Sequence, residues 1–498
     1  MKFSSIISNI KTSHKVLPSN ILAQSIVLDD IALDSRLVKK NSVFFALAGK
    51  AKNGEDFIAD AIKNGAAVIV ANNIKIVSEQ CLFIETSDPF ALLVEFLQIF
   101  YSPLPANIYA ITGTNGKTSV AEFTRQIAEF LEKKSASIGT LGVSCAADIK
   151  KHLHNSNLTT PDIVSLYKNL RILKENGVDD VAIEVSSIGL EQRRIAGLKI
   201  EVAAFTNFTQ DHLDYHKSMA EYFRCKMLLF SEVLENQGSA VINSDISEFQ
   251  EIKKLCAKKD HKVIEYGFKA HDLRLEKIEQ NDIGQKVFFK FREKNYQFQL
   301  SVKGEFQVFN TLCALGNILS KNNLSETELE NLLKNFYLLH SALGRMQSVA
   351  TLPNKAQIFI DFAHTPDALS NVLQLAKKIT KSRVIVLFGC GGDRDAKKRP
   401  LMGKVSCQLA DLVIVTDDNP RTEKAEIIRA EILAACDMTK TIEITDRKTA
   451  IEKAITMLKA EDVLILAGKG HEKYQIIGDK KFEFDEEKIV KNVITRSS

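Results

Sequence analysis

The sequence predicts an α/β protein of three domains, and three observations carry that expectation. Short apolar runs ending in Gly, Asp, Asn or Thr alternate with longer amphipathic segments along the chain, the signature of parallel sheets covered by helices. One such run opens directly into a Gly-bracketed loop, Ile108-Tyr-Ala-Ile-Thr-Gly-Thr-Asn-Gly-Lys-Thr-Ser119. At 498 residues the chain also exceeds one ordinary domain, and typical domain sizes suggest roughly three.

The expected boundaries enclose residues 1–102, 103–341 and 342–498, with Pro103 and Pro105 in a linker. In the first block, strands are expected near Val43–Ala48, Ala67–Ala71 and Leu82–Glu85. The second opens with the Gly-bracketed loop and a helical pattern through Ala121 to about Lys133, then strands at Val181–Val185, Val202–Phe205 and Ala240–Asn243. From Leu273 to Val302 polar and apolar residues alternate, as antiparallel ribbon does, and a helix begins near Phe309. The third block offers Ala356–Ile360, Val384–Phe388, Leu412–Thr416, Thr441–Ile444 and Val463–Ala467, each rich in Val, Ile or Leu. Polar clusters end four of these runs: Asp361 with His364, Gly389 to Asp395, Asp417 to Arg421, and Gly468 to Glu472. Open α/β sheets bind ligands at the carboxyl ends of their strands.

Composition excludes several classes. Hydrophobic residues make up 45% and charged residues 26%, as in a soluble globular protein. The net charge of +4 is spread without long basic blocks, which argues against a dedicated nucleic-acid binder. Lys397-Lys398-Arg399 reads as a solvated face or a local anion site. The eight cysteines form no C-x-x-C pair and read as free thiols in a reducing compartment. No apolar run approaches the roughly 20 residues that span a bilayer, and the N-terminus lacks a signal-peptide h-region. The expectation is a cytoplasmic protein without membrane insertion.

The loop points to nucleotide chemistry. Backbone N–H groups of a strand–loop–helix turn face phosphate oxygens, and the helix dipole favours the anion. Gly113, Thr114, Asn115, Gly116, Lys117, Thr118 and Ser119 therefore form a candidate ATP site, with Lys117 on the outer phosphates and a Thr118 or Ser119 hydroxyl on Mg²⁺. The ordinary P-loop would have Gly at position 111, where this chain has Ile. A plain Gly-rich turn before a surface helix is the alternative. Glu184 closes a strand and suits Mg²⁺, although a strand-end Glu is commonly just exposed. Asp211, His212, Asp214 and His216 crowd into six positions. They offer hard oxygens with imidazole, which favours Mg²⁺; zinc is not expected, since no Cys or His pair has its spacing.

The whole set resembles the Mur ligase family, which shares the shortened loop with folylpolyglutamate synthetases. Glu184-Val-Ser-Ser187, Thr206-Asn-Phe-Thr209, Asp211-His-Leu-Asp-Tyr-His216 and Tyr222-Phe-Arg-Cys-Lys-Met-Leu-Leu-Phe230 are similar to the central domain of that family. Gly344-Arg-Met346, Asp361-Phe-Ala-His-Thr-Pro-Asp367, Gly391-Gly-Asp-Arg-Asp395 and Gly468-Lys-Gly-His-Glu472 are similar to its Rossmann-like C-terminal domain. Leu33-Asp-Ser-Arg36 and Val43-Phe-Phe-Ala-Leu-Ala-Gly49 resemble the UDP-binding N-terminal domain of the branch that adds the third residue of the peptidoglycan stem peptide.

The resemblance implies an ATP- and Mg²⁺-dependent amide-bond-forming ligase, monomeric by family default. A substrate carboxylate takes the γ-phosphate of ATP, and an amine displaces phosphate from the resulting acyl phosphate through a tetrahedral intermediate. Lys117, Glu184, His212, Lys226 and His364 would be catalytic. Thr118, Glu184, His212 and Lys226, the last as a carbamate, would bind metal. Asn310 and Arg345 would join the loop in holding ATP. Leu33, Ser35, Thr159, Thr160, Ser186, Gln192 and Arg194 would hold UDP-N-acetylmuramoyl-L-Ala-D-Glu. Arg394, Asp418, Asn419, Pro420, Arg421, Gly468 and Glu472 would hold meso-2,6-diaminopimelate. Arg421 suits the distal carboxylate that distinguishes that amino acid from L-lysine, and Glu472 its ammonium. A lysine-adding enzyme, a folylpolyglutamate synthetase, or a nucleotide-gated scaffold that has lost catalysis are the competing readings. Asp418-Asn-Pro-Arg421 and the intact set Lys117, Glu184, His212 and Lys226 argue against them. Three departures stand out: Ile188 where the family usually has His, Gln307 where it usually has Asn, and Lys50-Ala-Lys52 near the uridine site.

Overall fold

The computed structural model describes residues 1–17, 26–49, 52–74, 78–154, 156, 158–281 and 283–497. Two compact units carry the folded chain. One gathers Met1–Ala106, Cys145–Asp179 and Gln192–Lys199; the other gathers Asn107–Ser144, Asp180–Glu191 and Ile200–Ser498.

The first unit holds a five-stranded sheet in the order Lys15–Leu17, Leu82–Glu85, Ala66–Ala71, Ser42–Phe45, Asp30–Ala32. Only Lys15–Leu17 runs antiparallel to its neighbour. Every residue of Ser42–Phe45 is buried, as expected of an inner parallel strand with both faces covered. The later segments of this unit return to it through the helix Ile163–Glu175, whose Lys168 pairs with Asp30 at 2.5 Å.

The second unit contains two large sheets and a two-stranded hairpin. The larger has ten strands, ordered Lys294–Leu300, Gly284–Phe291, Leu273–Asn281, Lys262–Gly267, Leu234–Asn243, Ile200–Phe205, Asn107–Thr112, Asp180–Glu184, Ser135–Gly139, Gly142–Ser144. It is parallel from Leu273–Asn281 through Ser135–Gly139, and antiparallel at its two ends. The alternating stretch is therefore antiparallel ribbon, as its period of two predicts. The helix Lys117–Phe130 packs Val120, Phe123 and Ile127 into the core together with Leu312, Leu315 and Ile318 of the helix Glu305–Lys321. Asn107–Thr112 lies between Ile200–Phe205 and Asp180–Glu184, so its carboxyl end opens where successive connections leave in opposite directions. Such a switch point is where open α/β sheets form their ligand crevice.

The smaller sheet runs Gln347–Thr351, Gln357–Asp361, Val463–Ala467, Val384–Phe388, Leu412–Val415, Thr441–Glu443, with only its first strand antiparallel. Apolar layers cover both of its faces, one around Phe359, Leu373 and Val386, the other around Ile358, Leu387 and Ile451. A separate hairpin pairs Tyr474–Ile477 with Lys480–Glu483. The α/β class and the mostly parallel sheets match the expectation. Ser135–Gly139 and Gly142–Ser144 escaped it because small and polar residues, not an apolar run, fill those strands. Among the described residues no helix is long and apolar enough to cross a membrane.

Candidate active site

The loop after Asn107–Thr112 is shaped by two glycines. Gly113 has φ 142° and Gly116 has φ 87°, both unfavourable to a side chain. A Cβ on Gly113 would lie 1.9 Å from Thr206 Oγ1, and one on Gly116 would lie 2.5 Å from Asn310 Oδ1. The loop is thus clamped between the segment Thr206–Thr209 and the helix that carries Asn310. Asn115 N–H donates to Asn207 Oδ1 (2.8 Å), Thr114 N–H to Asn207 O (2.9 Å), and Thr206 Oγ1 to Asn115 O (2.6 Å). Asn310 in turn donates to Gln307 Oε1 (3.0 Å), so the unusual Gln307 is a buried support for Asn310. Ser119 is buried in the first turn of the following helix.

Two lysines converge on the loop. Lys117 Nζ donates to Gly113 O (2.9 Å) and Thr114 O (2.7 Å), and Lys226 Nζ donates to the same Gly113 O (2.7 Å) across the ring of Tyr222. Burial lowers the pKa of both. For Lys226 the neighbouring Lys117 charge adds to burial, and its amine is held well below the ordinary lysine range. Burial likewise raises the Glu184 carboxyl, against the pull of Lys117. Glu184 is 2% exposed. It accepts from Thr118 Oγ1 (2.9 Å) and from Thr140 N–H (2.8 Å).

The smaller sheet brings its residues to the same cleft. Arg345 Nη2 donates to Thr118 Oγ1 (3.0 Å), while its Nε is buried with no hydrogen-bond partner. Asn115 Nδ2 donates to Asp367 Oδ2 (2.9 Å). Asp211 gathers two imidazoles and an ammonium at once: His212 Nε2 (3.5 Å), His364 Nε2 (3.5 Å) and Lys398 Nζ (3.4 Å). Burial alone would raise the Asp211 carboxyl, but His212, Lys398 and His364 outweigh it and hold it well below the usual range. Burial lowers His212 to about 4, so its imidazole is neutral near pH 7 and free to act as a ligand. Lys398 is missing from the expected site although its segment was singled out, and Asp211, expected among the Mg²⁺-type donors, meets Lys398 and two imidazoles instead. Beside the loop, Thr206, Phe309, Asn310, Asp367, Asn371 and Lys378 line a cleft of about 380 Å³.

The residues expected around the amino acid also come together. Arg421 has φ 51°, a left-handed conformation for a non-glycine residue, and is pinned by its neighbours. Its N–H donates to Ile476 O (3.1 Å), its carbonyl accepts from Gly478 N–H (2.7 Å), and its Nη1 donates to Gly392 O (2.7 Å). Burial and the nearby Arg394 charge both lower its pKa, against Asp418 and Glu472. Two guanidinium groups in this arrangement favour an anion between them. Asn419 Nδ2 donates to Glu472 Oε2 (2.9 Å), and the fully buried Lys469 Nζ donates to Asn419 Oδ1 (3.1 Å). Gln475 Nε2 donates to Asp418 O (2.6 Å). Arg447, 1% exposed, pairs with Glu486 at 2.8 Å and reaches within 3.8 Å of Asp418. Gly468, φ 109°, passes so close that a Cβ would lie 2.8 Å from Asp418 Oδ2. Arg447 and Glu486 carried no local sequence signal, since they pair across 39 residues, and Lys469, although inside the segment Gly468 to Glu472, had no expected role.

In the first unit, Ser35 is buried at the start of a short helix capped by Asp34, and its carbonyl accepts from Asn64 Nδ2 (2.9 Å). Leu33 is half-buried beside it. Arg194 donates to Thr160 O (2.7 Å) and to Gln192 Oε1 (2.7 Å), so these three come together, with Thr159 adjacent in the chain. Ser186 belongs to the second unit, where its Oγ caps the helix carrying the half-buried Ile188. Lys50 and Ala51 lie outside the described residues.

Three family models match the chain in order. Residues 28–88 match the Mur ligase family catalytic domain, 111–318 the Mur ligase middle domain, and 344–470 the Mur ligase glutamate ligase domain. A UDP-N-acetylmuramoyl-L-alanyl-D-glutamate–2,6-diaminopimelate ligase of Rickettsia bellii is 42% identical over 92% of this chain and 94% of its own length. The ligase of the same name from Rhizobium meliloti is 40% identical over 95% of each. A solved structure of a ligase of that name superposes with a TM-score of 0.66 at 28% identity, covering 100% of this chain and 99% of the other. The chain belongs to the Mur ligase family.

Proposed function

We propose that this protein is an ATP-dependent ligase that joins meso-2,6-diaminopimelate to the D-Glu carboxylate of UDP-N-acetylmuramoyl-L-Ala-D-Glu, a step of peptidoglycan precursor synthesis. The observation that carries the choice of amino acid is the Asp418–Arg421 turn. Its strained Arg421 stands beside Arg394 and is held by backbone contacts on both sides. Diaminopimelate has a carboxylate on its far carbon where L-lysine has none, and a pinned guanidinium is suited to hold it. Glu472, braced by Asn419 and Lys469, suits the distal ammonium. In a lysine-adding enzyme the same Arg421 would repel the substrate amine.

The phosphate cleft supplies the first half of the reaction. The loop N–H groups, Lys117 and Arg345 face the phosphates of ATP, and the buried unpartnered Nε of Arg345 fits an anionic ligand. The cleft lined by Phe309, Asn310 and Asp367 suits the nucleoside. Thr118, Glu184 and His212 offer hydroxyl, carboxylate and neutral imidazole, a hard donor set that fits Mg²⁺. When bound, Mg²⁺ neutralises phosphate charge as the substrate carboxylate approaches. Lys226 fits the carbamate role, because burial and the Lys117 charge hold its amine well below the ordinary lysine range, the direction that favours the neutral form able to add CO₂, and the product is a carboxylate-like ligand. His364, Asp211 and Lys398 bring the amino-acid side of the site to the phosphate side, where the amine displaces phosphate from the acyl phosphate. Arg194, Gln192, Thr159 and Thr160 fit a role along the muramoyl dipeptide, and Leu33 and Ser35 one near uridine.

Phosphate release by the purified protein tests this reading. Release is expected only with ATP, Mg²⁺, the UDP-muramoyl dipeptide and meso-diaminopimelate together. Release that proceeds without the dipeptide, or with a folate in its place, would overturn it.

A further inference from the structure

Zinc was not expected from the spacing of Cys and His along the chain, yet the fold brings three suitable donors together. Glu191 ends the helix Ser187–Glu191, His216 precedes the helix Met219–Leu228, and Cys225 lies within that second helix. One ligand atom from each lies within 4.8 Å of the other two. Cys225 is fully buried and His216 is 1% exposed. The imidazole is fixed on two sides: Nε2 lies 2.8 Å from Ser187 Oγ, and the ring stacks on Tyr222 at 5.2 Å. With Nε2 taken by Ser187, Nδ1 is left, and it is buried with no hydrogen-bond partner. A buried imidazole nitrogen in that state calls for a ligand.

We propose that Glu191, His216 and Cys225 form a site for a thiophilic divalent cation of the zinc class, separate from the hard-cation donors around the phosphate loop. Thiolate, imidazole and carboxylate are the three donor types that zinc takes, and three protein ligands leave a fourth position for water. Mg²⁺ does not compete, because it prefers oxygen ligands in an octahedral shell. Binding forms the metal–sulfur bond as the thiol proton leaves to solvent. Bonds of about 2.0–2.3 Å place tetrahedral donors under about 4 Å apart, so the side chains close slightly on the ion. Glu191 is the least buried of the three and supplies that freedom. The ion ties the two helices together one residue from Lys226, whose Nζ reaches the phosphate loop.

Cobalt substitution tests the site and needs no turnover. The full-length protein is stripped with chelator, held in excess Mg²⁺ and titrated with Co²⁺. One equivalent is expected to bind with a thiolate-to-cobalt charge-transfer band and the intense visible bands of a tetrahedral site, all displaced by Zn²⁺. Cys225→Ala should lose the charge-transfer band. Glu191→Gln should keep it and weaken apparent affinity on the order of tenfold. The proposal is overturned if the wild-type protein shows no thiolate band, or if the band persists in Cys225→Ala and so reports another cysteine. Neither result bears on the ligase reading, since ATP and the amino acid are absent.

Discussion

The phosphate cleft and the amino-acid pocket are both cationic, but they are built in opposite ways. In the cleft, Lys117 and Lys226 are held by backbone carbonyls, and burial pushes them toward neutrality along with Glu184. Its charges await a ligand that brings its own. In the pocket the charges are paired in advance, Arg447 with Glu486 and Lys469 with Glu472, and Arg421 is fixed by its backbone. The first arrangement suits charge that shifts during reaction. The second suits recognition of a substrate whose charges stay where they are.

That contrast predicts different failures. Lys117→Ala should cost most, about 10³-fold in kcat, or ~4 kcal/mol of transition-state stabilisation, with the fold intact by circular dichroism. If KM for ATP rises and kcat stays, Lys117 only binds. Arg447→Ala should instead damage the scaffold. It leaves Glu486 buried and unpaired, and unfolding free energy in urea should fall by about 3 kcal/mol, with the phosphate cleft still binding ATP. A neutral result would mean the pocket is not pre-paired. Arg421→Ala should be milder, about 2 kcal/mol or roughly thirtyfold in kcat/KM for diaminopimelate, with little change in KM for ATP. Equal losses toward both substrates would erase the division of labour.

The smallest effect concerns pH. Burial and the adjacent Arg345 lower His471 from the ordinary 6.5 to about 4. Between those values the unfolded chain binds the extra proton, so stability is complete above 6.5 and falls as pH drops toward 4. The contribution has a slope of at most about 1.4 kcal/mol per pH unit. Unfolding measured across that window should flatten by one proton in His471→Gln. An unchanged slope would mean His471 titrates normally in the folded protein.

The two regions also differ in how far the sequence revealed them. The cleft is largely contiguous: a strand, two glycines, a lysine and a hydroxyl announce it within twelve residues, and Glu184 follows at a strand end and His212 in the Asp-His-rich turn after the strand Ile200–Phe205. What escaped is what neighbouring elements bring to it, above all Asp211 as the meeting point of His212, His364 and Lys398. The pocket showed its face, Asp418 to Arg421, but not its supports. Arg447 and Glu486 read as ordinary charged residues until the smaller sheet folds them inward, and Lys469, inside the segment Gly468 to Glu472, had no assigned role. Strands were legible where Val, Ile and Leu fill both faces, and illegible at Ser135–Gly139, where tight packing is achieved with small residues. The Glu191, His216 and Cys225 cluster joins three separate elements, and no local spacing could have shown it.

The most direct test of the division between the two regions is a competition. The purified protein is given ATP, Mg²⁺, the UDP-muramoyl dipeptide and equal amounts of meso-diaminopimelate and L-lysine, and the products are identified by mass. The pre-paired, anion-ready pocket predicts the diaminopimelate adduct almost alone, with the preference collapsing in Arg421→Ala. Lysine adduct as the main product of the wild-type protein would contradict the role given to Arg421 while leaving the phosphate cleft intact.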